Sequence, residues 1–496
     1  MKEETTLARS GGGALTVCFT EAKTPTHRAQ CYRLGAAEFG PPLSEAQYAE
    51  REEFLGNRPL AVNGGLRYWC LVARTENDVR RAAEAEAEAE AHENRDGDSG
   101  VVVACCKTVR REVLFVRLDG ARHGSREEEG DGEEEKGTEE KVETGIGYCV
   151  ASVVTDPRYR GYGLAGLLLR HLTAWLDGHA SASGVETDGS ANSSDDDDDD
   201  DDDKGNAVAS MLYSEVDNFY EHRGWARQRV FSTTLTRKTS SRVSSTDTPP
   251  PDSSSISKLP ATRILGRKDI PALCDEDSKF LRDNFKKLFV HSPTAGHQQQ
   301  QQQQHHDTVK YAKEAKDTVI MLVLPTSQTI TWLHDRAEFF GKKLHNRVPE
   351  NFGSGCVYKY PNTSGSRGGN GIGSDTNPGL WLYWFHDFRK NQLAIQRVHI
   401  PLTEPQTDKE HVEAIATLLL DALEEAAKWN LFKVVFWTDA PYLSAAANLL
   451  VQRHGPGVEI SAMSKERTGD CMTMVRWRGT EPVTIELPLD EFYSWN

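Results

Sequence analysis

The stretch that decides the fold runs from Val150 to Leu176 and reads VASVVTDPRYRGYGLAGLLLRHLTAWL. Its first five residues include three valines, which favour a β-strand, and Pro157 ends this run. Further on, Leu164, Leu168 and Leu172 recur at helical spacing on one face. Between strand and helix lies a basic turn with glycines, and the first N–H groups of the helix have no partner within the helix. Such a helix N-terminus is a seat for a phosphate or pyrophosphate.

Two interpretations of this turn compete. Residues 161–166, GYGLAG, match G-x-G-x-x-G, the pattern of a Rossmann dinucleotide-binding unit. That unit places the first glycine directly at the end of a strand, and an acidic residue about 20 positions later at the end of a second strand. Here residues 155–160 separate the strand from the glycine, and Glu186 and Asp188 lie in a Ser/Gly/Asp-rich tract without a β-prone run. The sequence context therefore argues against a Rossmann unit.

The same turn resembles motif A of the GNAT acyltransferases, [Q/R]-x-x-G-x-[G/A], filled here by Arg160, Gly163 and Ala165. The alternative is a helix start that contains glycines for structural reasons only. The resemblance implies an acetyl-CoA seat built from backbone N–H groups of the turn and from the strand before it. In the family, that strand splays from its neighbour and presents backbone groups to the pantetheine and to the developing oxyanion. The candidate cofactor-binding residues are Val153, Val154, Arg158, Arg160, Gly161, Tyr162, Gly163, Leu164 and Ala165.

Residues 219–225, FYEHRGW, resemble the F-Y-x-x-x-G-[F/W] signature that closes the cofactor-binding half of GNAT enzymes. The resemblance makes Tyr220 the candidate catalytic residue, a general acid that protonates the departing thiolate of coenzyme A. A phenol with a pKa of about 10 still carries its proton when a thiolate whose conjugate thiol has a pKa of about 8.5 leaves. The alternative is a tyrosine that packs on the sheet and donates to a backbone carbonyl.

The formal net charge of −17 at pH 7 misrepresents the part of the chain that we expect to fold. Three tracts, residues 77–99, 119–144 and 178–206, together hold 30 acidic and 8 basic residues. The rest of the chain holds 45 acidic and 50 basic residues, a mildly basic balance that suits a polyanionic cofactor without requiring nucleic acid.

Cysteine spacing and hydropathy exclude several classes of protein. The nine cysteines are scattered and form no C-x-x-C, so neither a disulfide framework nor a metal site is indicated. The N-terminus has no apolar core for a signal peptide, and no apolar run reaches the roughly 18 residues of a membrane span. We therefore expect a cytoplasmic protein without a membrane or nucleic-acid partner; the sequence does not indicate an oligomeric state.

We expect an α+β fold with mixed sheets and two folded regions. Residues 15–237 form the GNAT acetyl-CoA-binding domain, with the three acidic tracts as disordered inserts. A Ser/Thr/Pro-rich linker at 238–260 precedes a C-terminal α/β domain at 261–496, whose Gln-rich residues 294–308 we expect to be disordered. The order strand, long helix, strand, short helix in 393–454 repeats that of 146–224. We therefore hypothesise that the second region is a degenerate GNAT-like unit, which requires its strands in 393–454 to be adjacent and parallel.

Other segments resemble the fungal lysine N6-acetyltransferases of lysine catabolism. They are 20–22 (TEA), 40–44 (GPPLS), Tyr48, Arg51 with Glu52, 212–216 (LYSEV) and 386–390 (HDFRK). The long C-terminal region also fits that family, whereas the inserts do not. The resemblance implies direct attack by the N6-amine of free L-lysine on acetyl-CoA in a ternary complex.

A lysine acceptor requires a group that binds its carboxylate and a base that takes a proton from its amine. Its carboxylate suits a bidentate arginine, for which we choose Arg389, with Asp387 as a second substrate-binding candidate. Its amine has a pKa of about 10.4 and must lose a proton before it attacks. Glu53, Glu112 and Asp387 are the candidate bases, although such residues are more often structural, and a chain of waters serves equally well.

Two aromatic segments are further candidates for the pocket. Residues 491–495 (EFYSW) either line the pocket or form an ordinary tail that packs on the core. Trp381, Tyr383 and Trp384 either hold the lysine stem or belong to the core, as aromatic strands more often do.

Two other functions remain open. The first is a GNAT enzyme for another amine, a polyamine or a protein lysine, because the acidic tracts suit basic proteins. The second is an acetyl-CoA-binding scaffold without activity, against which the intact turn together with Tyr220 argues.

Overall fold

The computed structural model describes residues 4–9, 12–73, 100–119, 141–178, 206–216, 218–239, 261–290, 317–356, 379–401, 408–437, 441–453, 458–479 and 483–495. In these ranges the α-helices are α1 Pro25–Phe39, α2 Glu45–Gly56, α3 Leu164–Leu176, α4 Ile270–Phe285, α5 Ser327–His345, α6 Asp408–Lys428 and α7 Pro441–Arg453. The strands are β1 Glu4–Arg9, β2 Gly12–Glu21, β3 Leu66–Ala73, β4 Val101–Asp119, β5 Glu143–Thr155, β6 Ala209–Ser214, β7 Ala226–Arg227, β8 Phe231–Thr239, β9 Thr262–Gly266, β10 Asp317–Val323, β11 Asn351–Cys356, β12 Leu380–Asp387, β13 Gln392–His399, β14 Lys433–Phe436, β15 Val458–Glu466, β16 Met472–Trp477 and β17 Val483–Glu486. The protein is α+β with mixed sheets, as predicted.

The first sheet has the order β1-β2-β3-β4-β5-β6-β16-β7, and β10 extends it from β4. Its ladders are antiparallel except between β5 and β6, which run parallel because α3 crosses between them, and between β10 and β17. The β5–β6 ladder runs from Gly147 opposite Ala209 only to Cys149 opposite Met211. Beyond that point the two strands have no paired residues, so a cleft opens between them.

The ladder between β4 and β5 contains a bulge beside this cleft. Cys105 lies opposite Val154 and Lys107 opposite Ala151, so two residues of β5 face the single residue between Cys105 and Lys107. Ser152 in the bulge has a φ of 53°. A bulge removes backbone groups from the ladder and bends the strand. Here Ser152 and Val153 of β5 have no paired residue in the register with β4.

Helix α3 covers this sheet with its leucine face. Its buried residues are Leu164, Leu167, Leu168, Leu169, Leu172 and Leu176. They pack in one cluster with Val103, Cys106 and Tyr148 of β4 and β5. Burying a leucine stabilises a fold by about 1.5–3 kcal/mol, so this face fixes the position of the turn that precedes the helix.

The second sheet has the order β15-β8-β14-β13-β12-β11-β9. Its one parallel pair is β13 with β14, joined through α6, in the same arrangement as β5, α3 and β6. The adjacent, parallel strands that the hypothesis of a second GNAT-like unit requires are therefore present.

The first and second halves of the chain each contribute one strand to the sheet formed mainly by the other half. Strand β8 follows the first unit in the chain but lies in the second sheet, between β14 and β15. Strand β16 follows the second unit but lies in the first sheet, between β6 and β7. The predicted division at residue 237 is corrected accordingly, because residues 231–237, assigned to the first domain, pair with the second sheet. Strand β10, assigned to the second region, likewise pairs with β4.

The predicted inserts lie mostly outside the described residues. This holds for 77–99, for nearly all of 178–206, for 240–260 of the linker and for 294–308. The tract 119–144 is corrected at its end, because Glu143 and Thr144 belong to β5. Among the described helices, none is long and apolar enough to cross a membrane.

Candidate active site

A cavity of about 360 Å³ lies where β5 diverges from β6. The first unit lines it with residues 149–155 of β5 and 212–216 at the end of β6. The second half of the chain contributes Arg336, residues 389–390, Cys471 and Trp495. The cavity is therefore enclosed by both units.

The glycine-bearing turn lies at the N-terminus of α3. Gly161 and Gly163 have φ values of 94° and 74°, in the left-handed region that glycine adopts readily. Gly163 is the N-cap of α3 and provides no side-chain cap. A Cβ at Gly163 would meet no atom of the described residues within 4 Å, so the described part of the chain leaves the space above the turn open. This combination of free helix N–H groups and open space fits a pyrophosphate.

The cofactor-binding candidates fall into three groups. Val153 and Val154 line the cavity, as does Arg160, whose Nη2 lies 2.7 Å from Glu38 Oε1. Residues 161–165 lie outside the cavity wall, at the start of α3. Arg158 differs from expectation, because its guanidinium forms an ion pair with Asp156 at 2.6 Å and does not reach the cavity.

Tyr220 lines the cavity from the other side of the cleft. Its ring meets Phe219 and Trp225 edge-on, with centroids 4.9 and 6.2 Å away. Burial, and then the nearby Cys106, raise the pKa of the Tyr220 phenol above its ordinary value. Among the described residues the phenol oxygen has no hydrogen-bond partner, so the alternative of donation to a backbone carbonyl is not what this geometry shows. The phenol is protonated and faces the cavity.

Three cations line the cavity on the face of the sheet that α2 covers: Arg51 of α2, Lys107 of β4 and Arg336 of α5. The carboxylate of Glu52, which is 1% exposed, forms ion pairs with two of them, Arg51 and Lys107. Glu52 Oε1 accepts from Arg51 Nε at 3.0 Å, and Oε2 accepts from Lys107 Nζ at 3.2 Å and from the Tyr68 hydroxyl. We call Arg51, Lys107 and Arg336 the cationic wall.

The sequence did not single out the cationic wall. Arg51 was noted only as part of a resemblance, and Arg336 lies in an amphipathic helix whose pattern does not distinguish it from a surface arginine. Tyr213 and Trp495 also line the cavity, and the Tyr213 hydroxyl lies 2.6 Å from Ser494 Oγ.

The two substrate-binding candidates separate in the structure. Arg389 lines the cavity, and it makes no hydrogen bond or ion pair with another described residue. Asp387 does not line it: its oxygens accept from the Lys390 backbone N–H at 3.3 Å and from Gln392 Nε2 at 3.1 Å. Asp387 thus lies outside the cavity wall, and its roles as a substrate ligand and as a base stay predictions.

The other two candidate bases also lie away from the cavity. Glu53 is exposed on α2, and Glu112 binds Arg282 at the surface. The carboxylates that do line the cavity are Glu38 and Glu215.

The aromatic strand belongs to the core. Trp381, Tyr383 and Trp384 are fully buried and absent from the cavity wall. Of the C-terminal segment, Trp495 lines the cavity, whereas Glu491 lies away from it and accepts from Arg397 Nη1 at 3.1 Å.

One acidic cluster stands at the cavity mouth. Glu215, Asp470 and Cys471 bring their ligand atoms within 4.8 Å of one another. The Lys390 ammonium already lies against all three, 2.7 Å from Asp470, 3.2 Å from Cys471 Sγ and 3.7 Å from Glu215. The cluster is therefore explained by an ion pair.

The splayed parallel strands, the glycine turn at a helix N-terminus and the phenol in the cleft define a GNAT acyltransferase that uses an acyl-CoA donor. The sequence matches the family described as the LYC1 GNAT-like C-terminal domain over residues 247–496, just over half of the chain. The protein belongs to this LYC1 family.

Comparisons with solved structures give remote likenesses. A probable N-acyltransferase from Enterococcus faecalis is 9% identical, with 94% of this chain and 73% of that chain covered and a TM-score of 0.41. A GCN5-related N-acetyltransferase from Kribbella flavida is 13% identical, with 93% and 71% covered and a TM-score of 0.39. The N-myristoyltransferase of Saccharomyces cerevisiae, solved with myristoyl-CoA and inhibitors, is 9% identical, with 98% and 88% covered and a TM-score of 0.38. These likenesses are too remote to assign a substrate. No curated protein sequence matches the chain.

Proposed function

We propose that the protein transfers an acetyl group from acetyl-CoA to the N6-amine of free L-lysine. The observation that carries this proposal is the single cavity, which joins the splayed strand and Tyr220 on one side to the cationic wall on the other. The donor's thioester and an acceptor that carries a carboxylate would meet in this one cavity, as direct attack in a ternary complex requires.

The chemistry divides among residues of the first unit. The lysine ammonium first loses a proton to solvent water, and the resulting amine attacks the thioester carbonyl. Backbone N–H groups of the bulge at Ser152 and Val153 stabilise the oxyanion, and the nitrogen releases a second proton to water. When the tetrahedral intermediate collapses, the C–S bond breaks and Tyr220 donates its proton to the leaving thiolate. Tyr220 can fill this role because its phenol lines the cavity, has no hydrogen-bond partner among the described residues and is protonated at neutral pH.

The acceptor is chosen by charge. The cationic wall carries three positive groups against one carboxylate, so it repels a polyamine and attracts a molecule that carries a carboxylate. A lysine within a protein has no free carboxylate, and the same argument disfavours it. A free amino acid with a side-chain amine meets both requirements.

The test is thiol release from acetyl-CoA with L-lysine, spermidine or a histone-type peptide as acceptor, with mass spectrometry of the product. We expect turnover with L-lysine and an acetyl group on its N6. Turnover on the peptide alone or on spermidine alone would reject the lysine assignment. Binding of acetyl-CoA without turnover on any amine would favour a scaffold.

A further inference from the structure

The cationic wall contains more positive charge than the described residues around it neutralise. Both oxygens of Glu52 are committed to Arg51, Lys107 and Tyr68. The Nη1 of Arg51 is buried, and no described residue offers it a hydrogen-bond partner. A buried donor without a partner costs free energy, so this group is poised for an acceptor that the described residues do not supply.

Arg336 is the second unsatisfied cation. Among the described residues it forms no ion pair, and its contacts are with rings: its guanidinium carbon lies 4.7 Å from the Trp495 centroid and 5.9 Å from the Phe340 centroid. Two acids act on Arg336 electrostatically, Asp387 and more weakly Glu52, and the oxygens of Asp387 accept hydrogen bonds from Gln392 and the Lys390 backbone. Burial, and next the Arg51 guanidinium, lower the pKa of Arg336 to about 10. An anion beside Arg336 would relieve both effects.

The phosphates of coenzyme A do not account for this charge. Successive residues of a strand point to opposite faces of the sheet. Cys106 packs in the cluster under α3, whose N-terminus forms the phosphate seat, whereas the next residue, Lys107, binds Glu52 of α2. The cationic wall therefore lies on the face opposite the phosphate seat, where the acceptor enters.

The cationic wall is also close to the reacting centre. Lys107 is paired across the ladder with Ala151, next to the bulge of β5. Residues paired across a ladder lie about 5 Å apart, so a carboxylate held at this wall keeps an amine on a four-carbon stem within reach of the splayed strand.

We propose that Arg336, together with the free Nη1 of Arg51, binds the carboxylate of the acceptor amino acid and thereby selects it over amines without one. This inference rests on the proposed function. A planar guanidinium holds a carboxylate through two parallel hydrogen bonds, which fixes its orientation as well as its charge. The proposal assigns to Arg336 the binding of the carboxylate, which the sequence suggested for Arg389.

The test compares two acceptors that differ only in the carboxylate. L-Lysine and 1,5-diaminopentane carry the same primary amine on the same stem. We expect wild-type protein to prefer L-lysine and Arg336→Gln to lose about 100-fold in kcat/KM for L-lysine, as for truncation of one partner of a buried charge pair. The rate with 1,5-diaminopentane should stay the same or rise, because a like charge has been removed. Retained activity with the diamine shows that the variant is folded.

Two further variants make the assignment specific. Lys342→Gln removes an exposed cation from the same helix, outside the cavity, and should change neither rate. Arg389→Gln removes the other cavity arginine of the second unit. An unchanged ratio of the two acceptors in Arg336→Gln, or a loss of the lysine preference in Arg389→Gln alone, would overturn the proposal.

A binding measurement separates the carboxylate seat from the identity of the substrate. Calorimetry with 6-aminohexanoate, in the presence of coenzyme A, should show binding to wild-type protein and at least tenfold weaker binding to Arg336→Gln. If wild-type protein acetylates neither lysine nor the diamine, the proposed function is wrong. The titration then still shows whether Arg336 binds a carboxylate. No binding to wild-type protein, or equal binding to both proteins, would refute it.

Discussion

At the residue scale, the site depends on side chains whose ordinary ionisation the fold has changed. Tyr220 is surrounded by Phe219 and Trp225, so its phenolate is disfavoured and the protonated form persists. Glu52 shows the opposite case: burial alone would raise its pKa, but Lys107 and Arg51 lower it below its ordinary value. One group is thereby kept neutral as a proton donor and the other charged as a structural counter-ion.

Tyr220→Phe should leave the affinity for acetyl-CoA close to wild type and lower kcat about 100-fold, because only the proton donor is removed. Equilibrium binding and steady-state rates check the two parts separately. Since the phenol pKa is raised, we expect no loss of wild-type rate from Tyr220 ionisation below about pH 10, the ordinary tyrosine value.

Tyr213→Phe is the matched comparison, because Tyr213 is the other phenol of the cleft and its hydroxyl is already bound to Ser494. Equal rates for Tyr220→Phe and wild type would mean that Tyr220 only packs. A loss confined to Tyr213→Phe would give the acid role to Tyr213 instead.

At the element scale, the turn and α3 act as one device. The leucine face anchors the helix on the sheet, and the left-handed glycines bring the chain into it without side chains above the N–H groups. The helix dipole adds positive potential at the same place. The element therefore binds a phosphate through backbone groups, which leaves Arg158 free to pair with Asp156.

Gly163→Val should weaken coenzyme A binding tenfold or more, roughly the loss of one hydrogen bond to a charged group. The new side chain fills the open space above the turn, and the fold should persist because a Cβ there meets no atom within 4 Å. Calorimetric titration with coenzyme A measures the affinity, and thermal unfolding measures the stability.

Gly479→Val is the control for backbone strain. Gly479 also has a positive φ, 88°, with nothing near its Cβ, and it lies outside the cavity wall. Both variants should lose about 1–2 kcal/mol of stability from the left-handed backbone. Equal coenzyme A affinity in the two variants would contradict the placement of the phosphate seat.

At the scale of the whole molecule, the exchange of β8 and β16 makes each sheet incomplete without the other half of the chain. Each exchanged strand occupies the corresponding position, directly beside the strand that follows the crossover helix. The cavity has the same dependence, since the cationic wall takes Arg336 from the second half and Lys107 from the first. Assembly of the site and completion of the sheets are therefore one event.

Neither half of the chain should fold alone. A fragment of residues 1–250 keeps β8 without its partners β14 and β15, and it lacks β16, so we expect it to be insoluble. A fragment of residues 251–496 lacks β8, so we expect it to be insoluble as well. Co-expression of the two fragments should give a soluble complex that binds coenzyme A. A soluble, folded fragment 1–250, or two separate thermal transitions in the intact chain, would contradict this expectation.

The sequence by itself determined the features that depend on neighbours in the chain. The valine run, Pro157 and the leucine spacing predict strand, turn and helix from 150 to 176 because alternation and helical period are local properties. The capping box of α2, in which Ser44 and Gln47 bond each other's backbone N–H, is equally local, because it depends on four consecutive residues. The same holds for Tyr220, which belongs to a short contiguous signature.

Only the tertiary structure decided which strands pair and which side chains face each other across the cavity. Nothing in the residues 231–237 distinguishes a strand of the first sheet from one of the second, because pairing partners far apart in sequence leave no period to read. For the same reason Arg389 and Arg336 looked alike as charged residues among aromatic ones. Long-range packing placed Arg336 in the cavity wall near Arg51, with no ion-pair partner among the described residues. The physical reason is desolvation: a guanidinium that packing removes in part from water is stabilised by an anionic partner. The sequence therefore determined the donor's seat, and the tertiary structure determined the wall that faces the acceptor.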